Sequence, residues 1–349
     1  MSTMPDSLWT PDLHANLTTG SRMTGLAGAS NGPGADTMFD QNGELVWING
    51  HAGEALITIA VPTYRDDASR MIRALSRCDG AEATELVIYD DGSGNPPMRE
   101  RMRDALRDYP GPGKLVAARE NLGRSHARNR LIAHGGTRWL LLLDADMLPD
   151  RNAFLRIYLA AARACESPAL FAGGFSLEQV RPRRNQKLHA AQSRRSECLD
   201  AETRARQPGR HVFTSNLLVH RDILQAIAFD DAYVGWGWED VDWGLRVAEQ
   251  FQVCHIDNTA SHLGLDRDRD LMRKYRRSGP NFARLVRRHP EAARQMSLYK
   301  SARLLKWLGP LNWPLAWIAG AVARLAILPA ALRLAGLKLY RAAHYARSV

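Results

Sequence analysis

Three runs of this chain are apolar almost throughout, and each stops at a polar or acidic turn. Leu56-Ile57-Thr58-Ile59-Ala60-Val61 runs into Pro62-Thr63-Tyr64. Leu86-Val87-Ile88-Tyr89 runs into Asp90-Asp91-Gly92-Ser93-Gly94, and Trp139-Leu140-Leu141-Leu142-Leu143 into Asp144-Ala145-Asp146. Strands with no polar alternation read as buried on both faces. Helical spacing separates and follows them: Asp66–Cys78, Met98–Tyr109, Ser125–His134 and Asn152–Cys165, with Lys114–Ala118 as one more short strand. Strands alternating with helices imply an α/β class with a mostly parallel, doubly wound sheet. Ligands of such sheets bind beyond the carboxyl ends of the strands, where all three turns lie. One site therefore accounts for all three.

The second half is less regular. Leu170–Leu177 has strand character, as do Val212-Phe213 and Asn216–Val219, and Arg221–Ala228 reads as a short helix. Arg183–Arg206 is polar and arginine-rich, which predicts a solvated helix or a mobile flap. Then comes Gly235-Trp236-Gly237-Trp238-Glu239-Asp240-Val241-Asp242, with three carboxylates and two tryptophans. Glycines let backbone approach a ligand, indole faces stack on sugar rings, and paired carboxylates hold hydroxyls or take a proton. Asp144-x-Asp146 offers hard oxygen ligands suited to Mg²⁺ or Mn²⁺, which neutralise a diphosphate. Taken singly, each acidic turn also reads as a helix cap or turn.

In order, the blocks are I-A-V-P-T-Y-R, V-I-Y-D-D-G-S, N-L-G-R-S-H-A-R-N, L-L-L-L-D-A-D-M, F-T-S-N-L-L-V-H and G-W-G-W-E-D-V-D-W-G-L-R. The series resembles the family 2 glycosyltransferases with the GT-A (Rossmann-like) fold. Its last block is similar to the galactosyltransferase-like segment of chondroitin polymerase-type enzymes and β-1,4-galactosyltransferases. The resemblance covers about residues 55 to 265. It implies that Pro62, Tyr64 and Asp91 line the nucleoside pocket, with Asp91 facing the base, Arg124 contacting the nucleotide and Asp144 the ribose or the metal. It implies that Asp146 is the metal ligand, completed by His262, with His255 as runner-up. Trp236, Trp238, Glu239 and Asp240 would bind the acceptor, with Asp240 as catalytic base and Glu239 beside it. Trp238 stands where relatives carry a small residue, which narrows the acceptor or sugar pocket. Glu-Asp in place of Glu-Asn favours inversion.

The formal net charge of +10 is unevenly placed: Arg267–Val349 holds 18 Lys/Arg against three acids. Trp307–Ala323 carries no charge in 17 residues, with Trp307, Trp313 and Trp317 and the interrupting Pro310 and Pro314. That is short for a membrane span, which needs roughly 20 apolar residues. Interfacial tryptophans flanked by Arg303, Lys306, Arg324, Arg333, Lys338 and Arg341 predict helices lying at a membrane surface, and argue against nucleic acid as partner. A helical pair packed on the core or on a partner subunit is the competing reading. The basic stretch Arg267–Arg288 suits anionic lipid or the donor diphosphate. Cys78, Cys165, Cys198 and Cys254 fit no zinc framework and read as free thiols.

The expected organisation is a flexible segment 1–50, a GT-A domain 51–265 and a basic, apolar helical tail 266–349. The domain divides into a nucleotide-binding half, 51–150, and an acceptor-binding half, 151–265. The expected activity is metal-dependent transfer of a hexose or N-acetylhexosamine from a nucleotide sugar to a glycan or lipid-linked acceptor. The expected place is the cytoplasm, at the inner face of the cell membrane. A sugar nucleotidyltransferase is disfavoured because no glycine-rich basic loop follows the first strand. A non-catalytic membrane-bound scaffold with a retained nucleotide pocket is the remaining alternative.

Overall fold

A computed structural model describes residues 37–349. The expectation of flexibility before residue 37 lies outside the described residues. Twelve strands form two sheets: β1 Thr37–Phe39, β2 Leu45–Ile48, β3 Ile57–Thr63, β4 Thr84–Asp90, β5 Gly113–Ala117, β6 Trp139–Leu143, β7 Met147–Pro149, β8 Ala169–Ala172, β9 Phe175–Ser176, β10 Asn216–His220, β11 Gln252–His255 and β12 Ala260–His262. The larger sheet has the order β1-β2-β5-β4-β3-β6-β10-β8-β11, and the smaller one β7-β12-β9. β5, β4, β3 and β6 run parallel, whereas β10 is antiparallel to both β6 and β8.

The apolar runs behave as their composition requires. Ile57, Ile59 and Val61 enter a core under the Ser69–Leu75, Pro96–Arg107 and Phe154–Ala164 helices. Ala60, with Val87, Tyr89, Leu140 and Leu142, enters a second core under the Arg124–His134 and Glu239–Ala248 helices. Alternate residues thus point to opposite faces, and both faces are covered.

Three features depart from the sequence reading. Order begins inside the segment 1–50 that was expected to be flexible: β1 and β2 form a hairpin whose second strand pairs with β5. Asp40 makes its turn, its carboxylate accepting from the backbone N–H groups of Asn42 (2.8 Å) and Glu44 (2.9 Å). The strand expected over Leu170–Leu177 breaks at Gly173-Gly174, where Gly174 takes φ +87°. A positive φ of this kind is cheap only for glycine. Arg183–Arg206 is solvated on one side only, with Arg194, Arg195 and Arg206 exposed. It forms helices Lys187–Ser196 and Ala201–Ala205, the first burying Leu188, His189 and Ala190 against neighbouring elements.

Six α-helices follow β12, from Asp268–Arg277 to Ala330–Tyr345. Among the described residues no helix is long and apolar enough to cross a membrane.

Candidate active site

The acidic turn Asp144–Asp146 bridges the two sheets, between the end of β6 and the start of β7. β12 pairs antiparallel with β7 and sets His262 opposite Met147, one residue from Asp146. His262 Nε2 lies 3.4 Å from Asp146 Oδ2, and Leu263 N–H donates to the Asp146 carbonyl at 2.9 Å. Gly264 has no Cβ because one would collide with the Asp146 carboxylate. Burial pushes the Asp146 carboxyl upward, but the His262 hydrogen bond and charge outweigh it and hold it below its ordinary value. Burial pulls His262 down, and Asp146 more than reverses this. Asp144 is different. Burial and then the Asp146 charge push it up to about 6, against the pull of Arg128 and Arg124.

The antiparallel pairing of β6 with β10 carries the site across to the second acidic block. Asn216 pairs with Leu143, so Thr214 and Ser215 lie beside Asp144, whose N–H approaches the Ser215 carbonyl at 3.4 Å. Thr214 N–H donates to Asp240 Oδ2 at 3.2 Å, and its hydroxyl lies 3.1 Å from Asp240 Oδ1. Arg128 donates to the Thr214 hydroxyl at 2.6 Å and stands 3.7 Å from Asp240. Arg124, at the head of the same helix, stands 3.7 Å from Glu239. Two arginines one helical turn apart therefore face both acidic clusters.

Trp238, at φ +80°, precedes the Glu239–Ala248 helix and turns the chain into it. Glu239 Oε2 is buried with no hydrogen-bond partner, and burial followed by the Asp240 charge raises the Glu239 carboxyl above its ordinary value. Asp242, one turn on, is fully buried. It accepts from Arg246 at 2.9 Å and pairs with His289 at 3.0 Å.

The tryptophans depart from the acceptor-stacking expectation. Trp238 lies 4.7 Å from the Phe282 ring and 6.2 Å from that of Tyr345, with the Arg341 guanidinium 5.0 Å over it. Its Nε1–H donates to Tyr345 Oη at 3.2 Å. Its indole joins the acidic block to the C-terminal helices. Trp236 packs on Tyr275 (5.6 Å) and carries Lys274 over its face at 5.7 Å.

Pro62, Tyr64 and Asp91 gather where β3 and β4 end side by side, with Thr63 in register with Asp90. Tyr64 is exposed beneath the Arg65 guanidinium. Asp91 is buried, and its carboxylate accepts from Leu122 N–H (3.0 Å), Gly123 N–H (2.9 Å) and Asn121 Nδ2 (2.8 Å). It fixes the loop that launches the Arg124–His134 helix. His255 fails as a metal ligand: its Nδ1 accepts from Arg204 at 2.9 Å and its Nε2 donates to the Pro208 carbonyl at 2.9 Å.

Residues 58–227 match the sequence profile of Glycosyl transferase family 2. The chain carries a domain of that family. No curated protein matches it significantly. Among solved structures it is similar to a mannosyltransferase from Pyrobaculum calidifontis in complex with GDP-Man and Mn²⁺. That likeness has 18% identity, covers 84% of this chain and 86% of the other, and has a TM-score of 0.49. Glucosyl-3-phosphoglycerate synthase from Mycobacterium tuberculosis, with Mg²⁺ and uridine diphosphate, is 14% identical over 68% of this chain and 79% of that one, with a TM-score of 0.47. S. aureus TarS in complex with UDP-GlcNAc is 15% identical over 82% and 89%, with a TM-score of 0.42. The similarity to chondroitin polymerase-type enzymes has no counterpart among these.

The family match ends before the second acidic block, so Asp240 joins this glycosyltransferase's site through Thr214 and Arg128, Glu239 through Arg124, and His262 through the pairing of β12 with β7. A family 2 domain implies a divalent cation, and the donor set fits one. Asp146 and His262 converge, and Asp144 is raised by burial and then by a neighbouring carboxylate that a cation would neutralise. Another trio, Asp40, Glu44 and His134, has metal-like spacing. There the cation's place is filled by Arg130, 2.7 Å from Asp40 and 2.6 Å from Glu44.

Sequence reasoning missed Asp66, Thr214, Arg128 and Lys274. Burial and then the Asp146 charge raise the Asp66 carboxyl, which places it in the same cluster; the run R-D-D after the first strand was the available signal. Lys274 sits in the segment read as a tail. Its Nζ lies 2.7 Å from Asp266, and its charge bears on Asp66 and Asp146.

Proposed function

We propose that this glycosyltransferase moves a hexose or N-acetylhexosamine, with inversion, from a UDP-sugar to a hydroxyl of a glycan or lipid-linked acceptor. The observation that carries the reading is the pair of acidic clusters facing each other across β6 and β10, with Arg124 and Arg128 between them. One cluster suits a diphosphate and the other a hydroxyl.

The donor lies over the carboxyl ends of β3, β4 and β6, beside Pro62 and Tyr64, with Arg124 and Lys274 as cationic contacts. Asp146 and His262, backed by Asp144, would hold Mn²⁺ or Mg²⁺, which supplies charge neutralisation for the departing diphosphate. Asp240, oriented by Thr214 and Arg128, takes the acceptor proton. The acceptor oxygen bonds to the anomeric carbon as the bond from that carbon to the phosphate oxygen breaks, and the nucleoside diphosphate leaves. A second reading gives the proton to Glu239, favoured by its unpartnered oxygen and raised carboxyl. The acid-free stretch from Ala292 to Val349 supports action at the inner face of the cell membrane.

Calorimetry of UDP, GDP and UDP-sugars, with and without Mn²⁺, tests the donor half on the wild type and Asp146→Asn. Metal-dependent UDP binding that the variant loses is the expected result. No nucleotide binding under any condition sinks the proposal and leaves the scaffold reading.

A further inference from the structure

The C-terminal helices carry an apolar surface that the fold does not use. Eleven of the sixteen large apolar side chains exposed among the described residues lie between Leu304 and Leu339. Trp307 is 88%, Trp317 66% and Ile327 83% exposed. Their exposure follows from the way the last two helices meet. Asn312–Arg324 and Ala330–Tyr345 close on small residues: Ala316, Ala319, Gly320 and Ala323 are buried, and a Cβ on Gly336 would sit 2.9 Å from the Ala319 carbonyl oxygen. Close packing on small residues turns the large ones outward. Arg333 fastens this hairpin to the body, donating to the Ala323 carbonyl at 3.0 Å and to Asp268 at 2.6 Å. The outward face is therefore held in place.

Charge decides what covers it. From Ala292 to Val349 there is no Asp or Glu, against nine Lys/Arg. A second copy of the chain would set cations against cations; a surface of anionic lipid opposes them. Between Tyr299, Arg303, Lys306, Trp307 and Val349 runs a cleft of about 370 Å³, with two cations at its wall and Trp307 at its rim. Tryptophan beside Lys and Arg is the composition of the headgroup layer. No described helix is long enough to span, so the surface lies on the bilayer.

We propose that Leu304, Trp307, Leu311, Trp313, Trp317 and Ile327 form a wedge that enters one leaflet of an anionic bilayer, with Arg303 and Lys306 holding a lipid phosphate in the adjoining cleft. This deepens the membrane half of the proposed function and is independent of the donor chemistry.

The test is co-sedimentation of the full chain with sucrose-loaded vesicles of phosphatidylcholine, alone and mixed with phosphatidylglycerol. The wild type is expected to sediment with the mixed vesicles, far less with the neutral ones, and less as salt rises. Trp313→Ala with Trp317→Ala lowers the partition coefficient about tenfold or more. Arg303→Glu with Lys306→Glu lowers it about fivefold per charge and flattens the salt dependence. Thermal melting checks that these exposed positions leave the fold intact. Equal partitioning of wild type and tryptophan variant overturns the proposal. So does an absence of vesicle binding together with a concentration-dependent dimer that the tryptophan variant dissolves. Calorimetric UDP binding is read on the same samples. Its loss in the wild type would sink the donor reading and leave the lipid result standing.

Discussion

Asp146 and Glu239 are both half-buried carboxylates in one site, yet their surroundings drive them in opposite directions. Asp146 has an imidazole 3.4 Å away and is held ionised below its ordinary range. Glu239 has burial and a neighbouring carboxylate, with one oxygen left unpartnered, and is raised. A carboxylate held ionised suits a cation, and one pushed toward protonation suits a proton. Environment, more than residue type, divides the labour.

The sharpest way to break this comparison is at Asp146. Asp146→Asn keeps the shape and removes the charge. Transfer is expected to fall about a thousandfold or more, because cation-assisted departure of the diphosphate is worth several kcal/mol. Steady-state transfer with a metal titration reads it. Transfer that survives with unchanged metal dependence removes Asp146 from the ligand set.

Next comes the proton acceptor. Asp240→Asn and Glu239→Gln are expected to differ, with the true base costing about 10²- to 10⁴-fold in kcat. If Asp240 is the base, its variant takes the larger loss. If Glu239 is the base, the acid limb of the pH–rate profile lies above the ordinary glutamate range, since a raised carboxyl must still ionise to act. Full transfer by Asp240→Asn would end the Asp240 assignment.

Asp242, the third acid of the block, is structural. It is buried between Arg246 and His289, with Arg288 3.6 Å away. Asp242→Asn leaves those cations without their charge partner and is expected to cost about 3 kcal/mol in chemical denaturation. Burial opposes ionisation, but His289 and Arg246 outweigh it and hold the Asp242 carboxyl below its unfolded value. Its contribution is therefore present above that unfolded value and is lost as pH falls through the folded one. In the variant this part of the acid destabilisation disappears. An unchanged acid limb of stability would refute the assignment.

The contrast also marks what the sequence made legible. β3, β4 and β6 were readable because full burial writes itself as unbroken apolar runs, and the acids at their ends share an edge by parallel pairing alone. His262 was legible only through resemblance, because β12 is three residues long and His262 pairs with Met147, far earlier in the chain. The packing of Trp238 was not legible, because stacking on a sugar and stacking on Phe282 call for the same residue. The contacts of the segment after residue 266 were not legible, because Lys274 and Tyr275 show helical spacing whatever they pack against. Thr214 carried no signal: a single hydroxyl gains its meaning from the β6–β10 register.

The smallest effect expected is at Asp91, and it separates a loop anchor from a base contact. The carboxylate accepts from the backbone of Leu122 and Gly123 and from Asn121, so Asp91→Asn turns one acceptor into a donor facing another donor. The loop before Arg124 then slackens, at a cost near that of one hydrogen bond, and KM for the donor rises about tenfold while kcat is largely kept. A direct contact to the base would leave a different mark: the preference for UDP over GDP would change. Calorimetry of both nucleotides on Asp91→Asn distinguishes the two, since an anchor weakens both by the same factor and a base contact weakens only one.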